Sequence, residues 1–156
     1  MTVKLRALLG SDIHAVLALD NATNPHPWSH AQWQQALEAH DCIALDRDGA
    51  LAGFAVTNTV LDEAELLLIA VDPALQRQGL GTQLLSAVIN ALRSRDVAKL
   101  FLEVRAGNAA AQALYAKAGG LRIGLRKDYY PGADGGREDA VNYAFTLHAP
   151  SNGTEP

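Results

Sequence analysis

The spacing of apolar and polar residues divides the chain into short runs typical of strands and longer runs typical of helices. Seven runs predict strands, at residues 2–8, 42–47, 51–60, 65–71, 99–104, 121–126 and 140–147. Four runs with helical spacing predict helices, beginning after Ser11 or Asp12, after Ser29, at Leu80 and at Ala109. The order β-α-α-β-β-β-α-β-α-β-β predicts an α/β fold, in which a central mixed sheet is flanked by helices on both faces.

Capping and turn residues support most of these boundaries. Ser29 and Gln32, three residues apart, form a capping box, and the Asp-Gly pair at 48–49 is a strong hairpin signal. The two glycines at 119–120 should end the last helix. Residues 127–138 are predicted to be a loop, because they contain proline and several glycines.

Length and composition favour a single globular unit. The 156-residue chain is most simply one domain over residues 1–148, with a disordered tail at 149–156. No apolar run approaches the roughly 20 residues of a membrane span, and the N-terminus lacks a secretory signal. Because Cys42 is the only cysteine, a reducing, cytoplasmic location without membrane attachment is expected.

Charge and histidine placement argue against two classes of ligand. The net charge is −4 without a basic stripe, which disfavours direct binding of nucleic acid. The five histidines show no metal-ligand spacing with Cys42, so no metal site is predicted. A monomer is the simplest arrangement.

A strand, a tight turn and a helix start follow one another around two glycines. Pro73 ends the apolar run at 65–71, and Gly79 and Gly81 lie where the amphipathic helix begins. The first turn of a helix has unpaired N–H groups, and glycines there let an anion approach the main chain. The run is not a dinucleotide fingerprint, since Leu84 holds the third glycine position, and it lacks a Walker lysine. A phosphate site and a plain helix-start turn both remain open.

Three polar side chains are predicted to border one cleft near this turn. A right-handed crossover makes the strands at 65–71 and 99–104 parallel neighbours. Glu103 lies near the carboxyl end of the second strand, where α/β sheets place ligands. Asn108 and Tyr115 are seven residues apart and share one helix face. Each also has a structural explanation, as a solvated acid, a helix N-cap and a packing residue, respectively.

Two rigid aromatic segments stand outside the regular pattern. One is His-Pro-Trp at 26–28, and the other is Tyr-Tyr-Pro at 129–131. They would form either two walls of a substrate groove or an aromatic lid over the core.

Several motifs resemble the GCN5-related N-acetyltransferase (GNAT) superfamily, and the resemblance extends from residue 3 to about residue 147. Its acetyl-CoA signature is similar to Ile-Ala-Val-Asp-Pro at 69–73 followed by Gln-Arg-Gln-Gly-Leu-Gly at 76–81. Later motifs keep the same order, with Leu-Glu-Val-Arg at 102–105, Asn-Ala-Ala-Ala at 108–111 and Leu-Tyr at 114–115. Four motifs resemble more narrowly one branch of the family, which acetylates the N-terminal alanine of a small-subunit ribosomal protein. They are Pro-Trp-Ser at 27–29, Glu-Val-Arg at 103–105 with Asn108, Tyr-Tyr-Pro at 129–131 and Arg-Glu-Asp-Ala at 137–140.

The resemblance implies acetyl-CoA as the co-substrate and a role for each matching residue. Glu103 would be the general base and Tyr115 the general acid. The pantetheine arm and pyrophosphate would be bound by Ile69, Ala70, Val71, Gln76, Arg77, Gln78, Gly79, Leu80, Gly81, Thr82 and Asn108. The substrate peptide, the N-terminus of a ribosomal protein, would be bordered by Trp28, Tyr129, Tyr130 and Arg137.

The chain departs from the family pattern at two places. Gly120 stands where the family usually has an aromatic residue, so another side chain is expected to fill that space. The loop after Pro131 is one residue longer, at Gly135 and Gly136, which alters the expected groove.

The expected activity is acetyl transfer to the α-amine of an N-terminal alanine, by direct attack in a ternary complex. One alternative is the same chemistry on a lysine side chain or a small-molecule amine. Alternatives of another class are a non-catalytic acyl-CoA-binding regulator and a simple phosphate-binding module.

Overall fold

The structure is a computed structural model that describes residues 2–132 and 135–148. Its strands are β1 Val3–Ala7, β2 Asp41–Arg47, β3 Ala50–Val60, β4 Glu63–Val71, β5 Lys99–Arg105, β6 Leu121–Pro131 and β7 Arg137–Thr146. Its α-helices are α1 Ile13–Thr23, α2 His30–Ala39, α3 Leu80–Ser94 and α4 Ala109–Lys117. The predicted order of elements is confirmed. The predicted tail, 149–156, lies outside the described residues.

The seven strands form one mixed sheet in the order β1-β2-β3-β4-β5-β7-β6. All neighbouring pairs are antiparallel except β4 and β5, which pair in parallel as predicted. That parallel ladder covers only Glu63, Ala64 and Glu65 on β4. Beyond Glu65, β4 stays paired with β3 through Val71, while β5 stays paired with β7. The two central strands therefore separate towards their carboxyl ends and open a cleft in the sheet.

Helices cover both faces of the sheet, which confirms the predicted layers. The amphipathic face of α3 is fully buried, and it packs with Tyr115 of α4 into one apolar cluster. A second cluster lies on the opposite face, where Val16 of α1 and Trp33 of α2 pack on Phe54 of β3. Because apolar side chains alternate between the two clusters along β3, both faces of this strand are buried.

The local signals at the termini of elements are confirmed with one exception. Ser29 accepts from the backbone N–H of Gln32, while the Gln32 side chain accepts from the N–H of Ser29. The turn at 48–49 has positive φ at both residues, as a tight hairpin requires. The exception is the start of α1, which no side chain caps. The carboxylate of Asp12 instead binds Arg6 at 2.8 Å and accepts from Leu9 N.

The predicted loop at 127–138 is wrong over most of its length. β6 continues to Pro131 and β7 begins at Arg137, so only residues 132–136 connect them. The register shifts between Arg126 and Tyr130, and Asp128 adopts φ 53° within this bulge. Because β6 is an edge strand, its bulge and its terminal proline disrupt no ladder on the outer side. Gly135 and Gly136, where the extra residue was predicted, are described, but residues 133–134 of the same loop lie outside the described residues, so its predicted extra length stays a prediction.

The space left by Gly120 is filled by Phe145 of β7. A Cβ at Gly120 would lie 2.7 Å from Phe145 Cζ and 2.9 Å from the carbonyl oxygen of Tyr115. Phe145 is 3% exposed. The expected compensation is therefore confirmed, because a ring from another strand replaces the missing aromatic residue.

Candidate active site

The cleft between β4 and β5 opens into a cavity of about 450 Å³. One wall comes from β4 and the other from the end of β5 and the start of α4, with α1 and its following loop above. The cavity is lined by Asp20, Thr23, Asn24, Pro25, His26, Phe54, Leu66, Leu67, Leu68, Ile69, Ala70, Leu102, Glu103, Val104, Arg105, Asn108, Tyr115, Tyr130 and Pro131. The structure thus brings together six of the predicted site residues, namely Ile69, Ala70, Glu103, Asn108, Tyr115 and Tyr130.

Glu103 presents its carboxylate to this cavity because strand side chains alternate. Leu102 and Val104, its neighbours on β5, are buried in the cluster beneath α3. The Glu103 side chain points the other way and is 22% exposed. Arg126 of β6 approaches it, with 3.5 Å between Nη2 and Oε1. No local sequence signal indicates this pair, since it depends on the register of β6 across β7.

Tyr115 is a buried phenol at the edge of the cavity. It is 5% exposed, and its ring contacts that of Tyr143 with centroids 5.8 Å apart. Burial raises the pKa of Tyr115 to about 12, with a smaller contribution from Tyr130. Its hydroxyl makes no hydrogen bond to any other residue that the structure describes. The group therefore remains protonated at neutral pH, with its proton available to a ligand in the cavity.

Tyr130 and Tyr129 lie side by side in the bulge of β6, with ring centroids 5.1 Å apart. Tyr130 lines the cavity, and burial together with the nearby Glu103 raises its pKa. Arg105 lies over the Tyr130 ring with its Cζ 4.4 Å from the centroid. Tyr129 is 44% exposed and stands outside the cavity, where Arg126 covers its ring at 5.0 Å.

The turn between β4 and α3 has the features of an anion site. Gly79 is the N-cap of α3 in the left-handed conformation, and as a glycine it has no side chain with which to cap the helix. The first turn contains no acidic side chain that would repel an anion. A Cβ built at Gly81 would lie 3.6 Å from Leu114 Cδ2, which is an ordinary van der Waals distance. The unpaired N–H groups of this turn can therefore receive an anionic group.

All of the predicted cofactor-binding residues except Asn108 lie between the end of β4 and the first turn of α3. Ile69 and Ala70 line the cavity, and Val71 ends β4. The side chain of Gln76 donates to the carbonyl oxygen of Val71 at 3.3 Å, and Arg77 has φ 69°. Gln78 and Gly79 complete the turn, after which Leu80, Gly81 and Thr82 begin α3.

Asn108 is the N-cap of α4, and its Oδ1 accepts from Ala111 N at 3.1 Å. The structural explanation of this residue is therefore correct. Because the cap uses only the oxygen, the amide nitrogen of this cavity-lining residue stays available as a donor. The two roles are compatible.

Trp28 and Arg137 do not line the cavity. Trp28 packs on Trp33 with ring centroids 5.0 Å apart. Arg137 donates to the carbonyl oxygens of Asp128 at 3.0 Å and Tyr129 at 3.1 Å, and so supports the bulge of β6. Direct contact of these two side chains with a substrate remains a prediction.

Asp20 is a cavity residue that was not predicted from the sequence. It is 1% exposed, and Oδ2 accepts from Trp33 Nε1 at 2.9 Å and from Trp28 N at 2.8 Å. Its Oδ1 accepts from the Asn24 side chain at 3.1 Å. The sequence did contain a signal for Asp20, since it lies on the apolar face of α1. A carboxylate buried there needs hydrogen-bond donors around it. Asp20 fixes the loop that forms the upper wall of the cavity.

The described ranges contain neither a metal-binding cluster nor a membrane-spanning helix. No group of three or more His, Cys, Asp or Glu side chains in 2–132 and 135–148 could hold a metal ion. No helix in these ranges is long and apolar enough to cross a membrane.

Comparison with known proteins gives consistent matches over most of the chain. The model of the acetyltransferase (GNAT) family matches residues 13–120. The [ribosomal protein bS18]-alanine N-acetyltransferase of Escherichia coli K12 is 43% identical over 144 residues, which cover 92% of this chain and 97% of that protein. The enzyme of the same name from Haemophilus ducreyi is 39% identical over 145 residues, or 92% of this chain and 99% of that protein.

Solved structures agree with the sequence matches. The crystal structure of the ribosomal-protein-S18-alanine N-acetyltransferase from E. coli superimposes with a TM-score of 0.90 at 42% identity, covering 97% of this chain and 98% of that chain. Ard1 from Thermoplasma volcanium, at 23% identity, superimposes with a TM-score of 0.84 over 96% of this chain and all of that chain, which shows the shared fold.

Proposed function

Because the chain belongs to the acetyltransferase (GNAT) family and is an acetyl-CoA-dependent N-acetyltransferase, we propose that it acetylates the N-terminal alanine of ribosomal protein bS18. The relatives that carry this name support the choice, since they match almost end to end. A ribosomal substrate also suits the cytoplasmic location expected from the sequence. The observation that carries the mechanism is the arrangement of Glu103, Tyr115 and Tyr130 around one cavity.

The residues present fit acetyl-CoA. The turn at the start of α3 offers uncapped N–H groups to the pyrophosphate, and Asn108 offers an amide nitrogen to the cofactor arm. Past Glu65, β4 has no ladder with β5, so its free edge at 69–71 can accept the pantetheine amides. When bound, acetyl-CoA supplies an acetyl group activated as a thioester.

Glu103 is the carboxylate best suited to remove a proton from the acceptor amine. The other carboxylate in the cavity wall, Asp20, is already occupied by donors from Asn24, Trp28 and Trp33. An α-amine has a pKa of about 7.7–8.0, against about 10.4 for lysine, so far less free energy is needed to neutralise it near pH 7. A single carboxylate, acting directly or through water, therefore suits an N-terminal amine better than a lysine side chain.

Tyr115 is the proton donor in this proposal. Its phenol is protonated at neutral pH, and its hydroxyl has no partner among the described residues. It would donate to the sulfur that leaves as the amide forms, which limits the charge that develops there. Tyr130 and the exposed Tyr129 would border the acceptor peptide on one side, where Arg137 supports their strand. Trp28 would border it from the loop that forms the upper wall.

A direct assay tests the proposal. The protein is mixed with acetyl-CoA and with short peptides that differ only at residue one and contain an internal lysine, and mass spectrometry locates the acetyl group. We expect acetylation of the α-amine, with the bS18 sequence beginning in alanine as the best substrate. Acetylation of the internal lysine instead would identify a side-chain acetyltransferase. Binding of acetyl-CoA without any product would support the regulator.

A further inference from the structure

Three consecutive residues at the start of β7 hold the surroundings of the cavity in place. Arg137 and Asp139 both contact Asp128 in the bulge of β6, the first at its carbonyl oxygen and the second at its backbone N–H, at 2.9 Å. Glu138, between them, reaches in another direction. Its Oε2 accepts from Gly107 N at 2.7 Å, and its Oε1 lies 3.3 Å from Arg105 Nη1. Glu138 therefore joins β7 to the end of β5 and to the turn before α4.

Arg105 carries this connection to the acceptor side of the cavity. Its Nη1 also donates to the carbonyl oxygen of Pro131 at 2.8 Å, and its guanidinium lies over the ring of Tyr130. Arg105, Tyr130 and Pro131 all line the cavity, whereas Glu138 does not. The Arg105 and Glu138 side chains are 24% and 28% exposed, so their ion pair is more shielded from water than a surface pair.

Gly107 carries the connection to the cofactor side. A Cβ at this position would lie 2.6 Å from Glu138 Oε2 and 3.7 Å from its Cδ, and apart from the two chain neighbours no other described residue has an atom within 4 Å. The carboxylate can therefore reach the main chain because residue 107 has no side chain. The next residue, Asn108, begins α4 and lines the cavity.

We propose that Glu138 is a positioning residue for acetyl transfer, which holds Tyr130 on the acceptor side and Asn108 on the cofactor side in one fixed arrangement. It acts through Arg105 and Gly107 and does not touch either substrate. The inference rests on the proposed function for its kinetic part. Its structural part, the attachment of Gly107 to Glu138, can be measured without turnover.

A double-mutant cycle between Glu138 and Gly107 tests this. The proteins are wild type, Glu138→Ala, Gly107→Ala and the double variant, with Glu138→Gln as the conservative variant and Gly10→Ala as a matched control. Apart from its chain neighbours and its own turn, no described residue has an atom within 4 Å of a Cβ built at Gly10. The φ of Gly10 is not positive, so alanine is accommodated there. Each protein is assayed for kcat, peptide KM, acetyl-CoA Kd by calorimetry and amide hydrogen exchange of residue 107 by NMR.

We expect Glu138→Ala to raise the peptide KM about tenfold, the loss typical of a charge-assisted hydrogen bond, with a smaller rise in acetyl-CoA Kd. The kcat at saturation should stay within about threefold, because neither Glu103 nor Tyr115 is altered. Exchange at residue 107 should accelerate. Glu138→Gln should lie between, since its amide oxygen can still accept from Gly107 while Arg105 loses its counter-charge.

The coupling distinguishes this role from a general loss of stability. Gly107→Ala should raise the peptide KM in the wild-type background but have little effect when Glu138 is already alanine, because Glu138 is the described residue that occupies that space. Additive effects, or accelerated exchange with unchanged KM and Kd, would overturn the proposal. If the wild type acetylates no peptide, the proposed function fails, while acetyl-CoA Kd and exchange across the same variants still decide whether Glu138 positions the Asn108 turn.

Discussion

Arg126 Nη2 lies 3.5 Å from Glu103 Oε1, so the carboxylate proposed to receive a proton from a cationic amine already faces a cation. The guanidinium side chain is 56% exposed and the carboxylate is 22% exposed. An exposed arginine is held weakly by one such contact, because water screens the pair and the long side chain keeps its rotamer freedom. An arriving α-ammonium group can therefore take the place of Arg126 beside Glu103.

Replacing Arg126 with glutamine should favour binding of the acceptor peptide. The variant removes a like charge that competes for Glu103, and we expect the peptide KM to fall about threefold at low ionic strength, the modest size typical of an exposed pair. The difference should shrink in high salt. Steady-state kinetics at two salt concentrations measure it.

Arg122→Gln is the matched control, since Arg122 is exposed on the same strand and forms no ion pair with any residue in the described ranges. It should leave the peptide KM unchanged. A higher KM for Arg126→Gln, with Arg122→Gln normal, would show that Arg126 binds the peptide instead of competing with it.

Glu103→Gln tests the proton acceptor itself. The amide has nearly the same shape but cannot accept the proton, so kcat should fall by about 10²–10⁴-fold. The calorimetric affinity for acetyl-CoA should stay close to that of wild type, because Glu103 is not among the residues proposed to bind the cofactor. A rate within a few-fold of wild type would remove Glu103 from this role.

The sequence was sufficient for features that depend on neighbours along the chain. The capping box at Ser29, the hairpin at 48–49 and the helical face of α3 each arise within a few residues, and all are confirmed. The order of elements follows from the same local periodicity. The positions of Glu103 and Tyr115 at one cavity also followed. The β-α-β crossover places the strand of Glu103, and Tyr115 shares a face of the next helix with Asn108.

The parts that could not be predicted depend on contacts between distant residues. Nothing in the pattern at 65–71 shows that the parallel ladder stops at Glu65, although that separation creates the cleft. The pairing of Arg126 with Glu103 requires the register of β6 across β7. The segment around Tyr129 has the composition of a loop, and the contacts of Arg137 and Asp139 with Asp128 hold it in an edge strand.

Gly81→Glu should abolish acetyl-CoA binding while the protein stays folded. The new carboxylate would occupy the first turn of α3 and repel the pyrophosphate expected there. Gly81 is preferable to Gly79 for this test, because Gly79 has φ 79° and any side chain there would strain the backbone. Calorimetry should show no binding to Gly81→Glu and near-normal binding to Gly81→Ala, the control for the added Cβ. Retained binding by the glutamate variant would contradict the assignment of this turn.

Gly120→Ala should destabilise the protein by about 1–3 kcal/mol, the usual cost of overpacking a core. The added Cβ would lie 2.7 Å from Phe145 Cζ and 2.9 Å from the Tyr115 carbonyl oxygen. The ring can shift, but the carbonyl belongs to the end of α4, so Phe145→Leu should relieve only part of the loss. Urea unfolding measures the free energies. Gly124→Ala is the control, because its Cβ would meet Asn142 Nδ2 at an ordinary 3.6 Å.

The Tyr115→Phe variant should lose less stability at alkaline pH than the wild type does. The pKa of Tyr115 is raised from 10.0 to about 12 in the folded protein. Between these values the unfolded chain releases a proton that the native state retains, so rising pH favours unfolding. Two pKa units correspond to about 3 kcal/mol of unfolding free energy. The wild type retains this contribution to its stability below pH 10 and loses it by about pH 12.

The measurement is urea unfolding of both proteins at pH 7, 9, 11 and 12. Cys42 is replaced by alanine in each, because burial raises the pKa of its thiol to about 11. Titration of that thiol would otherwise add a second pH dependence to the free energy of unfolding. At pH 7 the two proteins should have similar free energies of unfolding, since the Tyr115 hydroxyl has no partner among the described residues whose hydrogen bond would be lost. Above pH 10 the phenylalanine variant should become the more stable of the two. Parallel curves across the whole range would mean that burial does not raise the pKa of Tyr115.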